Sequence, residues 1–442
     1  ARAGRTAVAT PRARLRVDRD GIVRVTAEAL KAAGIAFDGQ RRDDLAVACQ
    51  GEPVPLTVVC RGAPAGRSRA FGPGCFVEFL GRGVRSLHTK ENVYTLFVDW
   101  RQARRVPAEA APPPLGGAPA SYRESWVVDR AAAYSFAAPT GDPWYEKSIL
   151  AYTAPVSQEL VVEVDAPEPE GAEALLHVGL WGVTDWPESP DHHVAVELNG
   201  TRLGERVFDG NTAIAMDLTV PAGVLRAGPN TLRLTLPGDT GVAYDMVAVD
   251  RYGVTYDRAF RARNGELTFQ AAGSVFAVGG LGGDVTAYRL VDGEPSARLS
   301  TAVVGQGPDQ VVLLGGSGVP SDYVVADASG LVVPRVSRDP GSSLALTGQA
   351  DLLVVSHPAF LEKARAYADA RAATGLRIRV VDVEAAYDAF GGGVVGDGPI
   401  RELIVQAHEK MGISSVLLVG GDTSDPLDHT GAGSRSFVPT PY

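Results

Sequence analysis

The C-terminal stretch of the chain carries the pattern that most constrains its fold. Three short apolar runs, Leu352–Ser356, Arg377–Val383 and Val416–Gly420, alternate with two amphipathic segments. Apolar runs of this length, bounded by polar residues, are typical of strands buried on both faces of a parallel sheet. Strand–helix–strand connections of this length give parallel neighbours with right-handed crossovers. The pattern therefore predicts a doubly wound α/β segment over residues 346–442, incomplete because it holds only three strands.

Local signals place the helices of this segment. Ser356 is predicted to cap the first helix, whose opening turn accommodates Pro358. A second helix is predicted from the apolar stripe formed by Ile400, Leu403, Ala407 and Met411. Both helices connect strands, so the segment reads as βαβαβ.

The loop after the third strand holds the most informative polar residues of this segment. In doubly wound sheets, function collects beyond the carboxyl ends of the strands. Asp422 and Asp425 follow two glycines at such an end. Two interpretations stay open for these carboxylates: turn chemistry and helix capping, or an active-site rim or metal contact.

Six ordered motifs of the segment resemble those of gingipain-like cysteine peptidases, peptidase family C25. The loop after the third strand has one glycine more than the family's Leu-Leu-Val-Gly-Asp pattern. The matching stretches are Leu352–Phe360, Gly375–Asp382, Tyr387–Phe390, Pro399–Arg401, Leu417–Asp422 and Val438–Tyr442.

The resemblance implies a caspase/gingipain-like fold and a secreted or cell-surface bacterial cysteine endopeptidase that acts on protein substrates. The family carries its histidine in a His-Gly motif and its cysteine on a later strand. None of the seven histidines here precedes a glycine, and the three cysteines, Cys49, Cys60 and Cys75, all lie near the N-terminus. We therefore expect no catalytic residue in this chain, and the dyad beyond residue 442, on a downstream segment or second chain that completes the sheet. Residues 1–442 alone are predicted to be inactive.

Two other functions are compatible with a long β region followed by a peptidase-like segment. One is a gingipain-like sortase of a type IX secretion system. The other is a non-catalytic secreted adhesion or structural protein with a degenerate peptidase segment. A His-Gly motif and a later cysteine beyond Tyr442 would favour an enzyme over the non-catalytic protein.

Charge and composition argue against some other classes of protein. The formal net charge of −10 argues against nucleic-acid binding. No apolar run approaches the ~18 residues that a membrane-spanning helix needs. The chain opens with Ala1-Arg-Ala-Gly, so a signal peptide is absent or already removed.

The rest of the chain is predicted to be mainly β, with many turns from its 51 Gly and 30 Pro. A hairpin is predicted around Asp20-Gly21. Cys60 and Cys75 end and begin neighbouring strand-like runs, so they pair as a disulfide or stay reduced like Cys49. The predicted divisions are an N-terminal β module over residues 1–105, a Pro/Gly linker over 106–121, a β-sandwich over 122–259 and a further β region over 260–345 that either completes the sandwich or stands alone.

Regularly spaced short strands predict that the second division is a jelly-roll-like sandwich. Asn199-Gly200 separates two alternating runs and predicts a type I′ turn, and Thr231–Leu236 alternates strictly. The sandwich resembles the galactose-binding-like modules of secreted hydrolases.

One loop of the sandwich gathers aromatic and acidic residues. Its tryptophans either plug the edge of the sandwich or stack on a sugar, and its acids suit a calcium ion. No cofactor is otherwise required. His192 and His193 point to opposite faces of a strand, so the two do not readily bind one metal ion. The candidate residues are Trp181, Asp185, Trp186, Asp191 and His192.

Overall fold

The structure is a computed structural model that describes residues 10–61, 69–109, 116–307, 310–341 and 344–441. Part of the predicted linker, Ser343 and the motif residue Tyr442 lie outside the described residues, as do residues 1–9. The chain forms two compact units. The first comprises the described parts of Ala1–Glu109, Tyr288–Arg298 and Val324–Tyr442, and the second those of Ala110–Ala287 and Leu299–Tyr323.

The N-terminal module has two antiparallel sheets around one apolar core. Strand β1 (Arg12–Val17) pairs with β7 (Asn92–Val98) and with Arg335–Arg338. Strand β2 (Gly21–Thr26) pairs with β6 (Cys75–Gly81). The predicted Asp20-Gly21 hairpin is therefore wrong: the turn passes the chain from one sheet to the other, because β1 and β2 each bury apolar side chains in the core between the sheets. The elements are β1 Arg12–Val17, β2 Gly21–Thr26, α1 Ala27–Ala32, β3 Leu45–Cys49, β4 Glu52–Val54, β5 Leu56–Cys60, β6 Cys75–Gly81 and β7 Asn92–Val98.

The cysteines of this module follow one of the two expected alternatives. Cys60 and Cys75 are opposite each other in the β5–β6 ladder and form a disulfide. Cys49 is the free cysteine of the described residues. The disulfide thus joins β5 and β6 at the end of the hairpin where the connecting chain leaves β5 and enters β6.

The second unit contains a two-sheet β-sandwich. The strands are β8 Ser121–Asp129, β9 Ala133–Tyr134, β10 Trp144–Tyr145, β11 Lys147–Ala151, β12 Val156–Val164, β13 Ala174–Gly182, β14 His192–Leu198, β15 Thr201–Phe208, β16 Ala213–Val220, β17 Gly228–Leu236 and β18 Asp245–Ala259. One sheet has the order β11-β18-β13-β16, with β8 also on β18, and the other has the order β12-β17-β14-β15.

The sequence signals for this sandwich are confirmed. Asn199 and Gly200 have φ of 50° and 80° and join β14 to β15, as a type I′ turn requires. Leu232, Leu234 and Leu236 alternate along β17 and are each 0% exposed. Their side chains belong to one core that takes residues from both sheets.

The region predicted at 260–345 is shared between the two units. Strands β20, β24 and β23 form a three-stranded sheet of the second unit. Tyr288 and Leu290 instead join an apolar cluster of the first unit with Ile22 and Val324. The strands are β19 Glu266–Ala271, β20 Val275–Gly279, β21 Thr286–Val291, β22 Glu294–Leu299, β23 Thr301–Val304, β24 Val311–Gly315, β25 Ser321–Ala326 and β26 Arg335–Arg338.

The α/β segment has the predicted parallel sheet, with strand order β28-β27-β29. Its elements are β27 Leu352–Ser356, α2 Leu361–Ala372, β28 Ile378–Asp382, α3 Val383–Phe390, α4 Asp397–Met411 and β29 Ser415–Val419. The expectation that Ser356 caps the first helix is wrong. Ser356 is buried, and the imidazole of His357 instead accepts the hydrogen bond from the Ala359 amide in a 3-10 turn that leads into α2. Helix α4 ends at Gly412, which has a φ of 73°.

The three strands of this sheet differ in burial. In the central strand β27, Leu353, Val354 and Val355 are each 0% exposed. In the edge strand β29, Val416 is 38% exposed and the next three residues are half-buried. The sheet is therefore covered on both faces at its centre and only in part at β29.

Candidate functional site

The carboxyl edge of the parallel sheet is where the sequence places a site. Ser356, the last residue of β27, is in register with Asp382 on one side and Val419 on the other. The loops that follow the three strands therefore start side by side. The loop after β29 runs from Gly420 to the end of the described residues.

Asp422 organises the return of this loop. Its carboxylate accepts hydrogen bonds from the Thr423 amide at 2.8 Å, the Thr440 amide at 2.7 Å and the Thr440 hydroxyl at 2.8 Å. Burial alone would raise the pKa of Asp422, but the nearby Ser436 hydroxyl and the donors of Thr440 and Thr423 outweigh it, so the pKa lies below its usual value. The carboxylate stays ionised at neutral pH, with its oxygens already engaged by the loop.

Asp425 is held in the same way. It is 5% exposed and accepts from the amides of His429 and Thr430 and from the Thr430 hydroxyl. Burial opposes ionisation, and the amide and hydroxyl donors reverse its effect, so the pKa of Asp425 is also lowered. Asp428, which the sequence reading missed, accepts from the amides of Gly433 and Ser434. The regular spacing Asp-x-x-Asp-x-x-Asp in the sequence could have indicated that three carboxylates organise this loop.

An aromatic group lies at the end of the central strand. The His357 ring meets the Phe437 ring edge-on at 5.0 Å, Phe360 lies 5.1 Å from Phe437, and the Arg435 guanidinium lies 5.0 Å from the Phe437 ring. Because Nδ1 of His357 accepts the Ala359 amide hydrogen, the neutral ring carries its proton on Nε2. Burial and the neighbouring Arg435 lower the pKa of His357. The imidazole at this edge is therefore neutral at neutral pH.

The cysteines among the described residues do not provide an activated thiolate. Cys60 and Cys75 are joined in a disulfide. Burial raises the pKa of Cys49, whose sulfur lies 3.5 Å from the Asn92 side-chain oxygen. A thiol with a raised pKa is protonated at neutral pH and is a poor nucleophile.

Charged side chains tie the α/β segment to the N-terminal module inside the first unit. Arg14 of β1 is 8% exposed and donates to Asp388 of α3 at 2.7 Å and to Asp339 at 3.4 Å. These residues line a cavity of about 370 Å³ together with Gln50 and Gly392. The pairing of Arg14 with two carboxylates makes this cavity a structural junction.

The predicted loop of the sandwich separates into buried and exposed residues. Trp181, Asp191 and His192 are at most 1% exposed. Trp186 is half-buried and Asp185 is exposed. The buried three cannot meet a ligand on the surface, so only the exposed part of the predicted group is available for binding.

His192 is the centre of a buried charge network. Its Nδ1 lies 2.6 Å from Asp245 and its Nε2 lies 3.0 Å from the Thr184 carbonyl. Both partners only accept, so the ring carries protons on both nitrogens. Burial alone would lower the pKa of His192, but its hydrogen bond to Asp245 and the charges of Asp245 and Asp191 raise it. The result is an imidazolium held between two buried carboxylates.

The network fixes the loop. Asp191 accepts from the amides of Trp186 at 2.9 Å and Gly210 at 2.8 Å. Gly182 lets the His192 ring approach, because a Cβ there would lie 2.3 Å from Nε2. Asp245 was missed from the sequence, since it lies 53 residues beyond His192. Among the described residues, no group of three or more His, Cys, Asp or Glu could hold a metal ion, and calcium remains a prediction.

Comparison with known proteins confirms the predicted resemblance. Residues 345–442 match the model of peptidase family C25. The fold resembles dimeric latent PorU from Porphyromonas gingivalis, with a TM-score of 0.63 and 14% identity over 97% of this chain. This chain spans 44% of the length of that PorU chain. The mainly β, multidomain fold is therefore shared with that PorU chain, and its C-terminal part matches the C25 model.

Two carbohydrate-binding modules also align, but with TM-scores too low to bear on fold or ligand. The CBM36-1 domain of a xylanase from the hindgut metagenome of Trinervitermes trinervoides aligns at a TM-score of 0.20 and 12% identity, over 30% of this chain and 96% of its own. A family 35 carbohydrate-binding module from an environmental isolate aligns at a TM-score of 0.19 and 13% identity, over 34% of this chain and 97% of its own. No curated protein sequence matches the chain. Among the described helices, none has the length and apolar character needed to cross a membrane.

Proposed function

We propose that this chain is the N-terminal portion of a secreted gingipain-like cysteine endopeptidase whose catalytic histidine and cysteine lie outside residues 1–442. One observation carries the proposal: the C25 match at 345–442 in a chain that follows the PorU fold over 97% of its length. The protonated thiol of Cys49 supports a nucleophile elsewhere in the protein.

The role of this chain is then to hold the substrate-facing edge of the sheet. The carboxylates of Asp422 and Asp425 shape the loop after β29 and stay ionised there. A cysteine peptidase needs a thiolate beside a histidine base. We place that pair on the segment that follows, next to this edge.

Labelling of the complete gene product tests this proposal. The protein is treated with a limiting amount of an alkylating iodoacetamide probe, and the modified cysteine is located by mass spectrometry. We expect a single reactive cysteine outside residues 1–442 and loss of casein hydrolysis when it is replaced by alanine. Cys49→Ser is the matched control and should retain hydrolysis. Labelling of Cys49 together with loss of hydrolysis in Cys49→Ser would contradict the proposal.

The same proposal requires further protein beside β29. An edge strand leaves half of its backbone groups unpaired, and β29 is also only half-covered by side chains. Amide hydrogen exchange measures this directly. Exchange across Val416–Val419 should be faster than across Leu352–Ser356 in residues 1–442 and should slow in the complete protein. Equal protection of the two strands in residues 1–442 would mean that the sheet is already closed.

A sorting role in type IX secretion is the second candidate. It is favoured by the long β region that precedes the C25 segment. The structural match to PorU covers both parts, since it extends over 97% of this chain. A sortase should cleave a cargo protein at its sorting signal and leave casein intact. An endopeptidase should cleave casein, so the two substrates separate the candidates.

A further inference from the structure

Three aromatic residues, far apart in the sequence, meet at one end of the five-stranded sheet of the sandwich. The last pair of the β11–β18 ladder is Ala151 with Asp245, so Tyr152 and Tyr244 are direct neighbours just beyond it. The Val183 amide donates to the Met246 carbonyl at 2.9 Å, which brings the loop after β13 to the same end. This loop carries Trp186.

The three rings form one continuous group, here called the aromatic rim. The Tyr152 and Tyr244 centroids are 6.1 Å apart, and those of Trp186 and Tyr244 are 5.1 Å apart. Tyr152 is 61% exposed and Tyr244 is 36% exposed. Contiguous exposed apolar patches, unlike single scattered residues, mark ligand-binding or interaction sites.

The rim is held rigid by the structure beneath it. The Trp186 indole donates to the Tyr244 carbonyl at 2.9 Å, and the Trp186 amide donates to the buried Asp191. Gly238 packs its backbone against Tyr152, because a Cβ there would lie 3.0 Å from the Tyr152 carbonyl oxygen. A rigid site loses little conformational entropy when a ligand binds.

The charges beside the rim select the kind of ligand. Asp185 adjoins Trp186 in the sequence and is exposed. Asp239, five residues before Tyr244, has a side chain that is 57% exposed and lies 2.9 Å from the His193 ring. The chain as a whole carries a formal net charge of −10. Carboxylates accept hydrogen bonds from hydroxyl groups and repel anionic ligands.

We propose that the aromatic rim formed by Tyr152, Tyr244 and Trp186 binds a neutral carbohydrate chain. The C–H faces of sugar rings pack on the electron-rich faces of aromatic rings. The rings of Trp186 and Tyr152 are inclined to that of Tyr244 by 85° and 57°, so the rim offers ring faces in different directions. This binding is separate from peptide hydrolysis and goes beyond the function proposed above.

Affinity electrophoresis of the 442-residue chain tests the proposal. Native gels contain xylan, galactomannan, dextran or mixed-linkage β-glucan as neutral polymers, or polygalacturonate as an anionic one. We expect retardation by at least one neutral polymer and none by polygalacturonate. Tyr152→Ala and Tyr244→Ala should each weaken binding by about tenfold, whereas Tyr152→Phe should keep it because the ring remains.

Phe136→Ala is the matched control, because Phe136 is 92% exposed in the same unit and is outside the rim. Tyr152→Ala changes a highly exposed side chain, so it remains informative if Tyr244→Ala alters folding. Retardation by no neutral polymer, equal retardation of Tyr152→Ala and the unchanged chain, or retardation by polygalacturonate would each overturn the proposal. So would binding of a proline-rich peptide, followed by fluorescence anisotropy and lost in Tyr152→Ala, in the absence of polysaccharide binding.

Discussion

The sandwich and the α/β segment both place carboxylates at or next to the ends of their strands, but they hold them differently. In the sandwich, Asp191 and Asp245 enclose a buried imidazolium, so charge is balanced by contacts across 53 residues of sequence. In the α/β segment, Asp425 accepts amides only four and five residues ahead. The comparison shows that one buried carboxylate, Asp245, is held by tertiary pairing, whereas another, Asp425, is held by local backbone donors.

The two regions also differ in how their sheets are closed. The sandwich buries the inward side chains of both sheets in a single core. The parallel sheet leaves β29 half-covered, with Val416 38% exposed. The free energy of unfolding is therefore expected to be more sensitive to substitutions in the sandwich core than to substitutions in β29.

The largest expected difference comes from an inserted charge. Leu234→Asp places an unpaired carboxylate in the sandwich core, where the wild-type side chain is 0% exposed, and should lower the free energy of unfolding by at least about 4 kcal/mol. Val416→Asp at the open edge should lower it by less than about 1 kcal/mol. Urea unfolding followed by circular dichroism measures both. An unchanged midpoint for Leu234→Asp would show that its face is misassigned.

The next effect tests the buried charge network. Asp245→Ala removes the partner of the His192 imidazolium and should destabilise the sandwich by about 3–5 kcal/mol. Asp217→Ala is the matched control: it breaks an exposed carboxylate–histidine pair, Asp217–His177 at 2.7 Å, and should cost less than about 1 kcal/mol. A similar loss of unfolding free energy in the two variants would mean that burial does not decide how strongly a carboxylate–histidine pair stabilises the sandwich.

A smaller loss is expected at the α/β loop. Asp425→Ala leaves the amides of His429 and Thr430 without their acceptor and should cost about 1–2 kcal/mol. Hydrogen exchange should accelerate at these two amides and remain unchanged in β27. Acceleration throughout the sheet would indicate that Asp425 supports the segment as a whole.

The smallest effect is an opposite response of the two regions to pH. The pKa of His192 is raised above 6.5, so its contribution is fully present below 6.5 and is lost as pH rises through its folded pKa. The pKa values of Asp422 and Asp425 are lowered below 3.8, so their contribution is present above 3.8 and is lost as pH falls through the folded values. Unfolding midpoints across pH should therefore lose their alkaline decline in His192→Gln and part of their acid decline in Asp425→Asn. A wild-type alkaline decline that persists unchanged in His192→Gln would assign it to another group.

Much of the fold could be predicted because its signals are local. The alternation of Leu232, Leu234 and Leu236 and the apolar run of β27 indicate which faces are buried, and both are confirmed. The Asn199-Gly200 turn follows from the backbone conformations these residues tolerate. The Asp20-Gly21 signal failed because the same local turn can close a hairpin or connect two sheets, and only strand pairing distinguishes them.

The sequence alone determined the strand periods, the parallel βαβ order and the six motifs, since each depends on residues close together in the chain. Tertiary structure decided which polar residues are usable. It buried His192 and Asp191. It joined Tyr152 to Tyr244 through the register of β11 and β18, and Trp186 to Tyr244 through the loop after β13. The physical reason is that side-chain burial and pairing depend on which strands become neighbours, and strand register is set by the packing of the whole core rather than by any one segment.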